Sequence, residues 1–375
     1  MDILGRVILI RGSLCVLLIA LVTACSGSQD GSASDALGEN NVSPGRPFQQ
    51  LYEQGVDRYL GEFTPMVSEL QENGLVEHRF GGTDGPLCYL GGEFSMSTRD
   101  GGSDDLLIFL QGGGFCSAEA CDAVAEPIPL FNIGMLDNAD PANPAADFNV
   151  GYVPYCDGTL FTGDRDVDST GDGVPDRFFR GIQNLSAALD VIRRSYPSPG
   201  RIVLAGNSAG GAGVHNALPL VRLLYPDVPI DLINDSGMGI LSPGGQQSLN
   251  EYWNAGRFFP DDCGSCIGED GNLTGYHNYQ LVEDDNLRMG FISSVADEVV
   301  ISQSPLDQQS FESELRAAVA ELENRHPQRF RSLIGGGDEH TFILRRFDFA
   351  IGDTTVREWV GRMLAGDAAW LSVSE

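Results

Sequence analysis

Arg201-Ile202-Val203-Leu204-Ala205-Gly206-Asn207-Ser208-Ala209-Gly210 is the stretch that decides the fold. Ile202 to Ala205 form a compact apolar run, as a buried strand does. The small residues Gly206, Ala209 and Gly210 let two backbone segments cross closely in a sharp turn. Beyond it, residues 209–224 are apolar at helical spacing and stop before Pro226. A serine flanked in this way is lifted to the carboxyl end of a sheet, where its hydroxyl is free to react. Ser208 is therefore the candidate nucleophile.

Working outward, the same rhythm continues on both sides. Residues 105–111 form a second buried apolar strand, and residues 149–155 a weaker one. Residues 178–196 carry Ile182, Leu185, Leu189 and Ile192 at helical spacing and end at Pro197-Ser198-Pro199-Gly200. Later strands are predicted at 229–233, 289–294 and 331–334, and helices at 312–326 and 354–364. Strands alternating with helices of this length indicate a mostly parallel central sheet with helices on both faces. Residues 242–281 interrupt the alternation. This stretch is rich in Gly, Asn, Asp and aromatics, including Tyr252, Trp253, Phe258 and Phe259, and it reads as a lid-like insertion near the mouth of the site.

A serine nucleophile needs donors for the negative oxygen that its attack creates, and a base. Gln111-Gly112-Gly113-Gly114-Phe115-Cys116 follows the strand at 105–111, and unobstructed glycine N–H groups suit the first need. Gly113, Gly114 and the N–H of Ala209, which follows the nucleophile, form the expected oxyanion hole. Five histidines compete for the role of base. His340 follows a late strand and Gly335-Gly336-Gly337, the place where hydrolases ordered Ser, acid, His put their base. His78, His215, His277 and His326 have poorer positions. Three aspartates compete for the acid: Asp235, Asp297 and Asp338. Asp297 is preferred, because it stands at a strand end one sheet element before the His loop. Asp235 is the residue best placed to organise the site through backbone hydrogen bonds.

The strings LIFLQGGGFC, YCDGTLFTGD, FRG, LAGNSAGG, NDSG, SSVADEVV and DEHTF occur in this order between about Cys88 and His340. Together they resemble the pectin acetylesterase and Notum family, a group with an α/β-hydrolase-like fold. The resemblance implies a carboxylesterase that removes acyl groups, most readily O-acetyl from a polysaccharide or similar ester, with no cofactor required. It implies Ser208 as nucleophile, Asp297 as acid, His340 as base, and Gly113, Gly114 and Ala209 as oxyanion donors. Phe115 stands where the family often has Trp. A preference for longer acyl chains, as in a lipase or polyester hydrolase, is the competing expectation, and a non-catalytic surface binding protein the third.

The remaining features bear on location. Arg6 and Arg11 border short apolar runs that close with Leu21-Val22-Thr23-Ala24-Cys25. This resembles a bacterial lipoprotein signal at 1–24, with Cys25 as the lipid-bearing residue. Residues 25–45 read as a flexible acidic tether, and 46–375 as one catalytic domain. The expected location is the bacterial cell envelope, lipid-anchored, with the outer membrane preferred, or secreted. Six cysteines remain beyond Cys15 and Cys25. Short spacing favours Cys116–Cys121 and Cys263–Cys266, which leaves Cys88–Cys156. The chain contains no lysine, and 23 basic residues face 53 acidic ones, for a net charge of −30. Such a body repels phosphates and anionic membrane surfaces, so nucleic acid is excluded as a partner and the membrane is reached through the lipid only. Finally, Asp166, Asp168, Asp172 and Asp176 alternate around glycines, as carboxylates of a structural calcium loop do.

Overall fold

A computed structural model describes residues 46–304 and 306–375. The expected signal at 1–24, the tether at 25–45 and Cys25 lie outside the described residues. Among the described residues fourteen strands form in chain order: Val67–Leu70 (β1), Leu75–Phe80 (β2), Phe94–Arg99 (β3), Leu106–Leu110 (β4), Asn149–Val153 (β5), Arg165–Val167 (β6), Arg177–Phe179 (β7), Ile202–Asn207 (β8), Ile230–Asp235 (β9), Leu287–Ser294 (β10), Phe330–Gly335 (β11), Ala350–Ile351 (β12), Thr354–Thr355 (β13) and Val373–Ser374 (β14). The helices are Gln49–Glu53 (α1), Gly181–Ser195 (α2), Ala209–Leu224 (α3), Gly245–Trp253 (α4), Thr274–Glu283 (α5), Glu298–Ser302 (α6), Gln308–Arg325 (α7) and Val356–Leu364 (α8).

Ten strands make one sheet in the order β1-β2-β3-β5-β4-β8-β9-β10-β11-β14. It is parallel from β5 to β14, and β1, β2 and β3 extend it antiparallel. The fold is α/β-hydrolase-like. Alternation along the strands sends side chains to two separate cores. Leu106, Ile108 and Leu110 face α2, α3 and α7, while Leu107 and Phe109 face α8 and the irregular chain around Met135 and Phe347.

Register explains where chemistry can gather. Asn207 pairs with Asp235, Asp235 with Ile292, and Ser294 with Gly335. The carboxyl ends of β8, β9, β10 and β11 therefore lie in one row, and the loops that leave them share one rim.

Residues 242–281 form a wall. Trp253 is buried and its Nε1 donates to the carbonyl of Cys116 at 2.7 Å. A second fastening arises from a proline. Pro219 lies inside α3 and has no N–H to offer the carbonyl of His215 one turn back. Gln280 of α5 fills the gap, its Nε2 donating to that carbonyl at 2.7 Å while its Oε1 bonds His215 Nδ1 at 2.8 Å. The His215 Nε2 side receives Asn234 Nδ2 at 2.9 Å, and burial pushes this imidazole down to about 4, so it is neutral near pH 7. At the end of α3, buried Arg222 bonds Asp284 at 2.7 Å and the carbonyls of Tyr225, Pro226 and Val228.

Candidate active site

The turn after β8 places Ser208 at φ 55° and ψ −123°, a conformation that L side chains rarely adopt. It forms because its neighbours are glycine: a Cβ on Gly206 would strike the carbonyl of Gly210, and one on Gly210 would strike that of Leu110. The Ser208 N–H donates to the main-chain carbonyl of Asp235 at 2.7 Å, which ties the turn to the end of β9.

His340 arrives on the loop after β11. Its Nε2 lies 2.8 Å from Ser208 Oγ, and its Nδ1 lies 2.8 and 2.9 Å from the two oxygens of Asp297. Asp297 is fully buried at the start of α6, where Oδ1 also accepts the N–H groups of Val299 and Val300, each at 3.1 Å. Three side chains far apart in sequence thus form one bonded chain. Asp338, the nearest candidate aspartate in sequence, is exposed, and Asp235 is turned to the backbone of 342–343. The other histidines are occupied elsewhere. His78 bonds Ser68 and Thr98, His326 bonds Asn278, and His277 packs on His215 with ring centroids 4.2 Å apart.

Gly114 and Ala209 line a cavity together with Ser208 and His340. Among the described residues, the N–H groups of Gly113, Gly114 and Ala209 make no hydrogen bond to the chain outside regular helix and sheet pairing. Gly113 does not line the cavity, and a Cβ there would strike Val124 and Tyr155. The loop is braced by the Cys116–Cys121 disulfide and by Trp253 on Cys116.

The cavity has a volume of about 110 Å³, several times what one water needs, and Met238, Ile240, Leu249, Leu273 and Phe311 make it apolar. It is not walled by the aromatics of the insertion. Trp253 and Phe115 meet edge to face, Tyr252 packs on Phe179, Phe259 on Tyr276, and Phe258 is buried. Leu249, one turn before Trp253 on α4, faces the cavity in their place.

All three expected disulfides form: Cys88–Cys156, Cys116–Cys121 and Cys263–Cys266. The calcium expectation is not confirmed. Asp166, Asp168, Asp172 and Asp176 lie on a hairpin of β6 and β7 but do not converge, and among the described residues no group of three acids, histidines or cysteines does. Asp166 forms a fork with Arg180 at 2.9 and 2.6 Å. Asp168 accepts N–H groups of Thr170, Gly171 and Gly173, Asp172 that of Val174, and Asp176 the N–H and hydroxyl of Ser169. Those bonds hold the Asp168 and Asp176 carboxyls below their ordinary range. Asp168, Asp172 and Asp176 thus serve the loop's own donors.

A serine raised on a strand–turn–helix, at the carboxyl end of a mostly parallel sheet and bonded to a late histidine, defines an α/β-hydrolase-like protein. A family model described as pectinacetylesterase matches residues 91–255, which include the glycine loop and Ser208 but end before Asp297 and His340. The palmitoleoyl-protein carboxylesterase notum2 of Xenopus laevis is 29% identical over 150 residues, covering 36% of this chain and 30% of the relative. Pectin acetylesterase 4 of Arabidopsis thaliana is 27% identical over 169 residues, covering 40% of each. The human palmitoleoyl-protein carboxylesterase NOTUM is 27% identical over 154 residues, covering 36% of this chain and 30% of the relative. The aligned region thus spans well under half the length of these curated relatives. Over this region the chain is similar to the pectin acetylesterases and Notum carboxylesterases.

Proposed function

We propose that this protein is a serine carboxylesterase. The bonded chain from Ser208 through His340 to Asp297, opening on a cavity, carries this reading. Ser208 Oγ attacks the ester carbonyl while His340 Nε2 takes its proton. Asp297 keeps the proton of the imidazole on Nδ1 and stabilises the imidazolium that forms. The N–H groups of Gly113, Gly114 and Ala209 receive the oxyanion. His340 then protonates the departing alcohol, and water, activated by the same imidazole, releases the acyl group. Each step uses only groups of the chain.

The substrate is an acylated polysaccharide or similar ester, with O-acetyl the acyl group that the family resemblance supports. The apolar cavity favours a second reading, a longer acyl chain, because an acetyl methyl would leave most of it unfilled. A series of p-nitrophenyl esters from acetate to palmitate decides between them. On the second reading kcat/KM rises from acetate to hexanoate, and Leu273→Trp lowers hexanoate turnover about tenfold while acetate stays within about twofold. A series that falls steadily from acetate supports the first reading. A deacetylation assay on acetylated xylan and acetylated polygalacturonate then identifies the carrier.

We also propose that Cys25 bears a lipid and that 25–45 tether the catalytic domain to the bacterial cell envelope. The three disulfides suit an oxidising compartment. Cys25→Ser is expected to move the protein from the membrane fraction to the soluble one. Unchanged membrane recovery, with an unmodified Cys25 peptide by mass spectrometry, would refute the anchor.

A further inference from the structure

The loop that carries His340 is held by a pair of residues outside the Ser208–His340–Asp297 chain. Asp235 ends β9 and is fully buried. Its main-chain carbonyl receives the Ser208 N–H at 2.7 Å, while its Oδ2 receives the N–H groups of Phe342 at 2.7 Å and Ile343 at 2.9 Å. Its Oδ1 accepts the Ser236 hydroxyl at 3.3 Å. That hydroxyl oxygen in turn accepts the Thr341 N–H at 3.1 Å. Both Ser236, at φ 62°, and Thr341, at φ 65°, sit in the left-handed region, where neither residue stays without an outside hold. The three N–H groups that follow the imidazole are thereby fixed to one dipeptide.

Resting on the esterase reading, we infer that Asp235 and Ser236 are positioning residues that set the distance between Ser208 and His340. Asp235 reaches the nucleophile through its backbone and the base through its side chain, so one residue spans both partners. Its carboxylate is also an odd choice for a merely structural acceptor. Among the described residues no arginine bonds it, and burial pushes it up to about 6. An anion kept there at neutral pH lies close enough to His340 to favour the imidazolium of the reaction. The other titratable groups around that ring are Asp297, from the end of β10, and Asp338 and Glu339, which precede it on its own loop.

The test uses Asp235→Asn, which keeps the shape and loses the charge, and Ser236→Ala, which keeps the backbone and loses the hydroxyl. Active sites are counted by fluorophosphonate titration. Asp235→Asn is expected to lower kcat about 100-fold, the scale of a one-ångström misplacement, with KM within about twofold. The acid limb of its kcat/KM profile moves to lower pH, because an imidazolium without the anion behind it gives up its proton more readily. Ser236→Ala is expected to lower kcat about tenfold without moving that limb. Titrated Asp235→Asn with wild-type kcat and limb would overturn the inference. If Asp235→Asn does not fold, Ser236→Ala decides alone, and wild-type kcat overturns it. If wild-type protein hydrolyses none of the esters, the esterase reading fails separately, and proton NMR of the His340 Nδ1–H still decides. A resonance that shifts or broadens in Ser236→Ala supports the positioning role, and an unchanged one refutes it.

Discussion

Ser208→Ala is expected to lower kcat on p-nitrophenyl acetate by roughly 10⁶-fold, the scale seen when the nucleophile of a Ser–His–Asp hydrolase is removed. The substitution deletes one oxygen and leaves the turn, whose close backbone crossings depend on Gly206 and Gly210 and not on the hydroxyl. The folded state should survive, with a thermal midpoint near that of the wild type, and the cavity should still bind ester. Residual hydrolysis above water, about 10³-fold, would come from the oxyanion donors and from binding. Loss of fluorophosphonate labelling in the same variant links the two losses to one atom. A folded Ser208→Ala protein that keeps burst kinetics would remove the assignment.

The second large effect is expected at Asp297, where two roles can be separated. Asp297→Asn should lower kcat about 10⁴-fold, because the amide drives the imidazole into the tautomer with its proton on Nε2, which cannot accept the serine proton. The same variant should be nearly as stable as the wild type. An asparagine oxygen still caps the N–H groups of Val299 and Val300, and Asn caps about as well as Asp. Asp297→Ala loses the cap as well, so it should match the kinetic loss and add about 1 kcal/mol of destabilisation. Calorimetry beside initial rates separates these outcomes. Near-wild-type turnover in Asp297→Asn would move the acid role to another carboxylate.

Much of this was legible along the chain. The strands on either side of Ser208 are buried on both faces and therefore read as unbroken apolar runs, and β4, β8, β9 and β10 fall within a few residues of expectation. The antiparallel strands β1, β2 and β3 escaped because β1 is exposed and because β2 and β3, though largely buried, carry polar residues, among them His78, Arg79, Ser95 and Thr98, that break the apolar pattern. The short β14 exists only by pairing with β11, a contact that no local pattern announces. At the site, residue types and order pointed to Ser208, His340 and Asp297. They pointed to Asp235 as an organiser of the site through backbone hydrogen bonds, but not to the His loop as the segment it grips, because backbone N–H groups are carried by every residue. The burial of the aromatics of 242–281 was not legible for a related reason. Trp and Phe side chains suit a channel and a core equally, and here α4 turns Trp253 inward and leaves Leu249 on the cavity. The acidic loop stayed ambiguous because aspartates next to glycines cap turns as readily as they coordinate ions.

The two fastenings of residues 242–281 have an engineering consequence. One ends on the carbonyl of Cys116, two residues past Gly114, and the other on the helix that begins at Ala209. Grafting a longer or shorter segment there to change the accepted acyl group would pull on both sources of the proposed oxyanion donors at once. Tailoring selectivity and preserving rate are therefore coupled problems in this scaffold. Point changes at Leu249 or Leu273, which face the cavity but hold neither fastening, offer the route that leaves the donors undisturbed.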